Sequence, residues 1–251
     1  MALGIWLTTR AGLVRAGLVL TALAALGSIA MAVATRGTAT TEAIPGLASM
    51  VFTWGAGTAL AFGGAQRALR SDRERGVVAL ARARGIGVAA YTRGRVGGLV
   101  AVLALSAGGG TLVAGLAATA VAGGTRHAVA RASVAALVYA LAFAATVGPL
   151  AMAALGARSR AGGYFALLTV LVLPELLSPW TGALLPRGWR ELTSIPAALD
   201  ALRAGVQLAG PAVLHAARAT VALIAVAVGS LLFVHARLSL DTLRGDVTGG
   251  R

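Results

Sequence analysis

Gln66 to Arg95 reads QRALRSDRERGVVALARARGIGVAAYTRGR. Eight arginines (Arg67, Arg70, Arg73, Arg75, Arg82, Arg84, Arg93 and Arg95) fall within these 30 positions, out of 22 basic residues in the whole chain. A long apolar run ends just before this island and another begins just after it. Arginine that dense between two membrane-length runs marks a cytoplasmic loop, because basic residues flanking spans are retained on that side during insertion.

The island has a local pattern of its own. Ser71-Asp72-Arg73-Glu74 fits a capping box, with the Ser71 hydroxyl on a backbone N–H and Glu74 reaching back. Asp72 and Glu74 then fall in a first helical turn, where acids favour the dipole. Val77, Leu80 and Arg84 follow at spacings of three and four, so the pattern predicts a short helix over Ser71–Arg84 that stops at Gly85-Ile86-Gly87. Such a helix slung between two spans is a handle for another protein. The plainer alternative is a solvated basic loop that only sets topology.

Outward from the island the chain is apolar. Of 251 residues, 58% are hydrophobic and 12% charged, and the mean hydropathy is +0.84. Several runs reach the roughly 20 residues that cross ~30 Å of hydrocarbon. The expectation is an all-α polytopic membrane protein, a single transmembrane domain over 1–251, with six spans: about 16–34, 44–65, 96–122, 132–157, 161–177 and 217–234. Gly97-Gly98, Gly108-Gly109-Gly110 and Gly115 in the third span predict close packing against neighbouring helices. Gly148-Pro149 predicts a kink in the fourth, and Pro174-Glu175 interrupts the fifth. Residues 1–15, with Trp6 among arginines, read as an interfacial segment. Within the outer segment 178–214, Ser194 before Ile195-Pro196 reads as a helix start. Ile195, Leu199, Leu202 and Val206 share one face of that helix, and Asp200, Arg203 and Gln207 the other. It reads as an amphipathic helix on the outer membrane surface or dipping into it.

Charge then orients the chain. With both termini inside, 15 of the 22 basic residues lie in cytoplasmic segments, and the other seven (Arg36, Arg126, Arg131, Arg187, Arg190, Arg203 and Arg218) lie outside. That satisfies the positive-inside rule, and the reverse orientation does not.

Several chemistries are excluded. The chain has no Cys, hence no disulfide and no thiolate nucleophile or metal ligand. It has no Lys, and a phosphate-binding P-loop requires one. His127, His215 and His235 lack metal-ligand spacing. No catalytic residue, cofactor or metal site is expected, and basic residues confined to short loops do not point to nucleic acid. Glu175 is the one acid near hydrocarbon depth, a candidate for the outer interface or for a transport path.

Asp72-Arg73-Glu74-Arg75-Gly76, then Leu80, then Tyr91 and Gly94-Arg95 leading into the third span, resemble the membrane subunits of type-2 ABC exporters (ABC-2 permeases). In that family an acidic/basic-Gly start and a Tyr…Gly-basic exit surround the helix that docks on the ATPase. Two stretches are similar to haem-exporter B subunits of cytochrome c maturation: Ile44-Pro45-Gly46-Leu47, and Arg160, Gly162-Gly163 on to Leu171-Val172-Leu173-Pro174 and Pro179. The chain departs from the family at Gly85-Ile86-Gly87, where many relatives carry a Pro and a Ser/Thr-Arg pair, and in a longer 178–214 segment.

The resemblance implies a permease subunit of an ATP-driven exporter in the cytoplasmic membrane. Hydrolysis would be on a separate ABC ATPase subunit, and a homodimer or a homologous permease would complete the pump. It implies that Ser71, Asp72, Arg73, Glu74, Arg75, Gly76, Val77, Leu80 and Arg84 couple to that ATPase. The alternatives are a haem-exporter B-like subunit and a non-transporting membrane scaffold.

Overall fold

The computed structural model describes residues 2–9, 12–36, 38–66, 68–156, 160–184, 192–208 and 211–248. Among the described residues every regular element is helical: α1 (Ala2–Thr9), α2 (Gly12–Ala34), α3 (Ile44–Met50), α4 (Thr58–Ala65), α5 (Ala68–Glu74), α6 (Val77–Ala83), α7 (Val88–Leu103), α8 (Gly109–Val121), α9 (Arg126–Ala151), α10 (Arg160–Leu171), α11 (Leu173–Leu184), α12 (Ile195–Gln207) and α13 (Pro211–Thr248).

Several of these join into longer rods. The π turn Val51–Gly57 links α3 to α4, the π turn Ala104–Gly108 links α7 to α8, and the π turn Met152–Gly156 continues α9. Pro149 sits inside α9, three residues before the last of these. Its ring removes one backbone donor from the helical ladder, which suits the local change of winding there.

Five helical stretches are long and apolar enough to cross a membrane: Val14–Ala34, Thr40–Asp72, Val88–Val121, Gly123–Gly156 and Ala212–Ser239. A sixth apolar helix, Gly162–Ser178, is shorter. Its α10 and α11 halves are separated at Val172, and Pro174 is tolerated because it falls at the start of α11, where N–H groups have no intrahelical partner. Six spans were expected, the fifth of them interrupted; among the described residues five helices have the length and hydropathy to cross, and the interrupted one is the shorter Gly162–Ser178.

The bundle is organised around α9. It is the most enclosed span, and α2 and α13 are the least. Ala135, Ala136, Ala140 and Ala144 are fully buried on it, and these short side chains let neighbouring helices come close around Tyr139 and Phe143. By contrast Leu20, Leu23 and Leu26 on α2, and Val221, Ile224 and Leu232 on α13, are exposed. In water such a surface would be an aggregation hazard; in hydrocarbon it is at home.

The glycines of α7 and α8 divide by face. A Cβ at Gly98, Gly110 or Gly115 would fall under 3 Å from Gly4, Phe52 or Ser133 respectively, so these three mark tight helix crossings. Gly97 and Gly109 meet nothing within 4 Å. The expectation that the whole glycine set packs is corrected: residues at 97 and 109 point away from the contacts that their neighbours make.

The predicted start of α12 is present. Ser194 has extended backbone, and its hydroxyl accepts the Ala197 N–H at 3.0 Å. Ile195, Ala198, Leu199 and Ala201 are buried, and α12 packs against α9 and α13. Its apolar stripe is therefore covered by protein rather than lying on a membrane surface. Arg187, Trp189 and Arg190 of the same outer segment lie outside the described residues.

Candidate functional site

The arginine island folds as two short helices rather than one. Arg75 follows α5, and Gly76 then adopts φ +69°, a left-handed conformation that breaks the helix between α5 and α6. Gly85, at φ +75°, ends α6 in the same way. There the Ile86 N–H reaches the Ala81 carbonyl at 2.9 Å and the Gly85 N–H reaches Arg82 at 2.8 Å, a Schellman closure.

These facts revise the expected Ser71–Arg84 helix. Ser71 lies inside α5, so it caps no helix start. Glu74 does not reach back to close a box; it pairs with Arg70 one turn earlier, at 2.7 Å on the exposed face. A pair that open to solvent contributes only a few tenths of a kcal/mol. The apolar stripe also splits. Ala81 is buried and Val77 and Val78 pack on the core, whereas Leu80 is 55% exposed and Arg84 faces outward. Helical residues four apart share a face more closely than residues three apart, so Val77 aligns with Ala81 and Leu80 with Arg84.

The third span begins earlier than its hydropathy suggested, at Val88 instead of near position 96. That extension carries Tyr91 and Arg95 on a helix face turned toward the bundle. Here lies the feature that sequence reading missed. Asp72, expected as a first-turn acid, is 4% exposed. Its Oδ2 accepts the Tyr91 hydroxyl at 2.6 Å and the Arg95 Nε at 2.8 Å. Arg95 Nη1 goes on to the Thr8 hydroxyl at 2.9 Å, and Thr8 donates to the Gly4 carbonyl at 2.8 Å. One chain of charge-assisted hydrogen bonds thus ties α1, α5 and α7 together. A buried ion pair is tolerable only when its remaining lone pairs and protons are filled in this way.

Backbone contact reinforces the joint. A Cβ at Gly4 would sit 2.1 Å from the Gly94 carbonyl oxygen, and one at Gly98 would sit 2.3 Å from the Gly4 carbonyl carbon. Glycine at both positions is what lets α1 lie across α7. Leu69 and Ala68, both buried, seat α5 against the same region.

The candidate coupling residues therefore separate into two sets. Asp72 is buried in the joint, and Val77 leans on the core. Glu74, Arg75, Gly76, Leu80 and Arg84 are exposed, and Ser71 is half-buried. The Arg73 side chain lies outside the described residues. Leu80 is apolar and exposed, and the exposed Arg84 lies one helical turn further on.

At the opposite end of the bundle Glu175 is exposed, in the first turn of α11, and accepts the Ser194 hydroxyl. Asp200 pairs with Arg203 at 3.1 Å. The Arg203 guanidinium lies over the Tyr139 ring, 5.5 Å from its centroid, and the Tyr139 oxygen accepts the Trp54 indole N–H at 2.6 Å. Burial pushes the Asp200 carboxyl above the usual range, Arg203 opposes that shift, and Glu175 adds to it. Glu175 is thus placed beside other polar groups and not alone in hydrocarbon.

Comparison of the chain with protein-family models, with curated proteins and with solved structures finds no match in any of the three.

Proposed function

We propose that the chain is the six-span, N-in/C-in membrane subunit of an ATP-driven exporter of the type-2 ABC class. It would work in the cytoplasmic membrane as a pair with a second permease copy or homologue, powered by separate ATPase chains. The observation that carries this reading is the Asp72 joint. A loop that only set topology would have no need to bury a carboxylate, a phenol and a guanidinium at its root. This loop is fastened to α1 and to the start of α7, so a push on its outer surface is transmitted to both instead of being absorbed by a flexible linker. Leu80, with the exposed Arg84 one turn away, offers the surface to be pushed: an apolar anchor beside charge.

The test is co-expression with ABC ATPase subunits from the same genome, purification through a tag on the permease, and assay of the ATPase retained. Leu80→Asp changes an exposed residue, so insertion and yield should match the native chain while retained ATPase falls at least tenfold, the effect of losing about 1.4 kcal/mol. Equal retention by Leu80→Asp would move the dock elsewhere. Failure of the native chain to retain any ATPase would favour the non-transporting scaffold.

A further inference from the structure

Arg95 uses only part of its donor set. Its Nε binds Asp72 and its Nη1 binds Thr8, and neither bond uses Nη2. The residue is 5% exposed, and a guanidinium carries five N–H donors, more than Asp72 and Thr8 take up. Beside it is a cavity of about 170 Å³, lined by Arg95 with Gly4, Leu7, Ile86, Ala90 and Tyr91. Its lining is mixed in character: a guanidinium and a phenol together with aliphatic side chains from α1, the loop and α7.

We propose that this cavity is a binding site for a phosphate group, that of an anionic phospholipid headgroup or free phosphate. Its place in the chain favours the lipid. The site lies where α1, with its exposed Trp6, crosses the arginine-rich end of the third span, which is the headgroup level of a span that starts here. A phosphodiester would take the Nη2 edge, and the glycerol and first methylenes would run along Leu7, Ile86 and Ala90. Arginine suits the task because its planar fork can hold a protein carboxylate on one edge and a phosphate on another. Because the cavity is walled by α1, α7 and the segment after α6, a bound headgroup would brace the same joint that Asp72 makes. The site itself stands apart from the export reading and needs no ATPase.

The full-length chain, purified in a neutral detergent, is titrated separately with a short-chain phosphatidylglycerol, with the matching diacylglycerol, and with inorganic phosphate, and binding is followed by Trp fluorescence and native mass spectrometry. Phosphatidylglycerol should bind saturably and diacylglycerol at least tenfold more weakly. Ala90→Glu puts a carboxylate on an exposed position of the rim and should weaken phosphatidylglycerol about tenfold without altering yield. The paired change Asp72→Asn with Arg95→Gln, which keeps the joint uncharged and hydrogen-bonded, should do the same. Inorganic phosphate that binds as tightly as the lipid and displaces it would assign the site to free phosphate. Equal binding of phosphatidylglycerol and diacylglycerol, or unchanged binding in both variants, would overturn the proposal.

Discussion

Asp72 and Arg95 lie 23 positions apart in the chain and 2.8 Å apart in space, and their side chains are only 6% and 5% exposed. Removing one partner strands a charge away from water. Asp72→Ala should therefore cost roughly 3–5 kcal/mol, whereas replacing both partners by apolar residues of similar volume, Asp72→Leu with Arg95→Met, should cost markedly less than the two single losses together. Tyr91→Phe, which removes one donor to the same oxygen, should cost about 1–3 kcal/mol. Thermal unfolding in detergent of these variants, together with Asp72→Leu and Arg95→Met made singly, measures all of these. An Asp72→Ala chain that melts with the native one would show that the pair does not hold α5 to α7.

The crossing of α1 over α7 predicts a position-specific penalty within one glycine pair. Gly98→Ala pushes a methyl group into the Gly4 backbone, 2.3 Å from its carbonyl carbon. Backbone cannot swing aside as a side chain can, so α1 must lift, at a cost of about 1–3 kcal/mol. Gly97→Ala meets nothing within 4 Å and should be neutral or slightly stabilising, since alanine favours helix over glycine. Protease cleavage near Trp6 reports the lifting. Equal cleavage in the two variants would mean that α1 is not held by this contact.

Sequence pattern made the spans legible because hydrocarbon length and Arg placement are one-dimensional signals, readable without knowing what touches what. The start of α12 was legible for a similar reason: Ser194 and Pro196 state a cap locally. The loop was misjudged where two local signals competed. Ser71 and Glu74 have capping-box spacing, but Gly76, two residues after Glu74, imposes a left-handed turn, and the chain is already helical from Ala68. The joint could not be read from pattern at all. Asp72 and Thr8 look like ordinary surface residues, and only the folding of α1 across α7 brings Thr8, 87 positions away, to Arg95. The one available hint was the Tyr91–Arg95 spacing of four, which puts a phenol and a guanidinium on one helix face.

The cluster of Glu175, Ser194, Asp200 and Arg203 predicts two separable effects at α12. Ser194→Ala removes the acceptor for the Ala197 N–H and should cost about 1 kcal/mol. Asp200 acts through pH. Its folded-state pKa is raised, first by burial, so the folded chain holds that proton more tightly than the unfolded chain does. Its contribution is then fully present below the ordinary carboxylate pKa of about 4 and is lost as pH rises through the folded value. Asp200→Asn lacks this loss, so its melting temperature should gain on the native chain between about pH 4 and pH 7. The effect should be modest because half of the Asp200 side chain is exposed. A constant difference across that range would contradict the assignment.

Orientation is the prediction on which the cytoplasmic reading of the loop stands. The count of 15 inner against seven outer basic residues is stronger than it looks, because Arg203 is engaged with Asp200 and the Tyr139 ring rather than free in an outer loop. The chain has no native Cys, so a single introduced thiol reports unambiguously. Thr40 follows the first span and Ala79 lies on α6, and both are exposed. In intact cells an impermeant maleimide should label Thr40→Cys and leave Ala79→Cys untouched, with Ala79→Cys labelled only after permeabilisation. Both substitutions lie outside the joint and should leave yield unchanged. Labelling of Ala79→Cys in intact cells, with Thr40→Cys protected, would turn the loop outward. The Leu80 patch would then face no ATPase, and the Arg95 cavity would open to the outer leaflet.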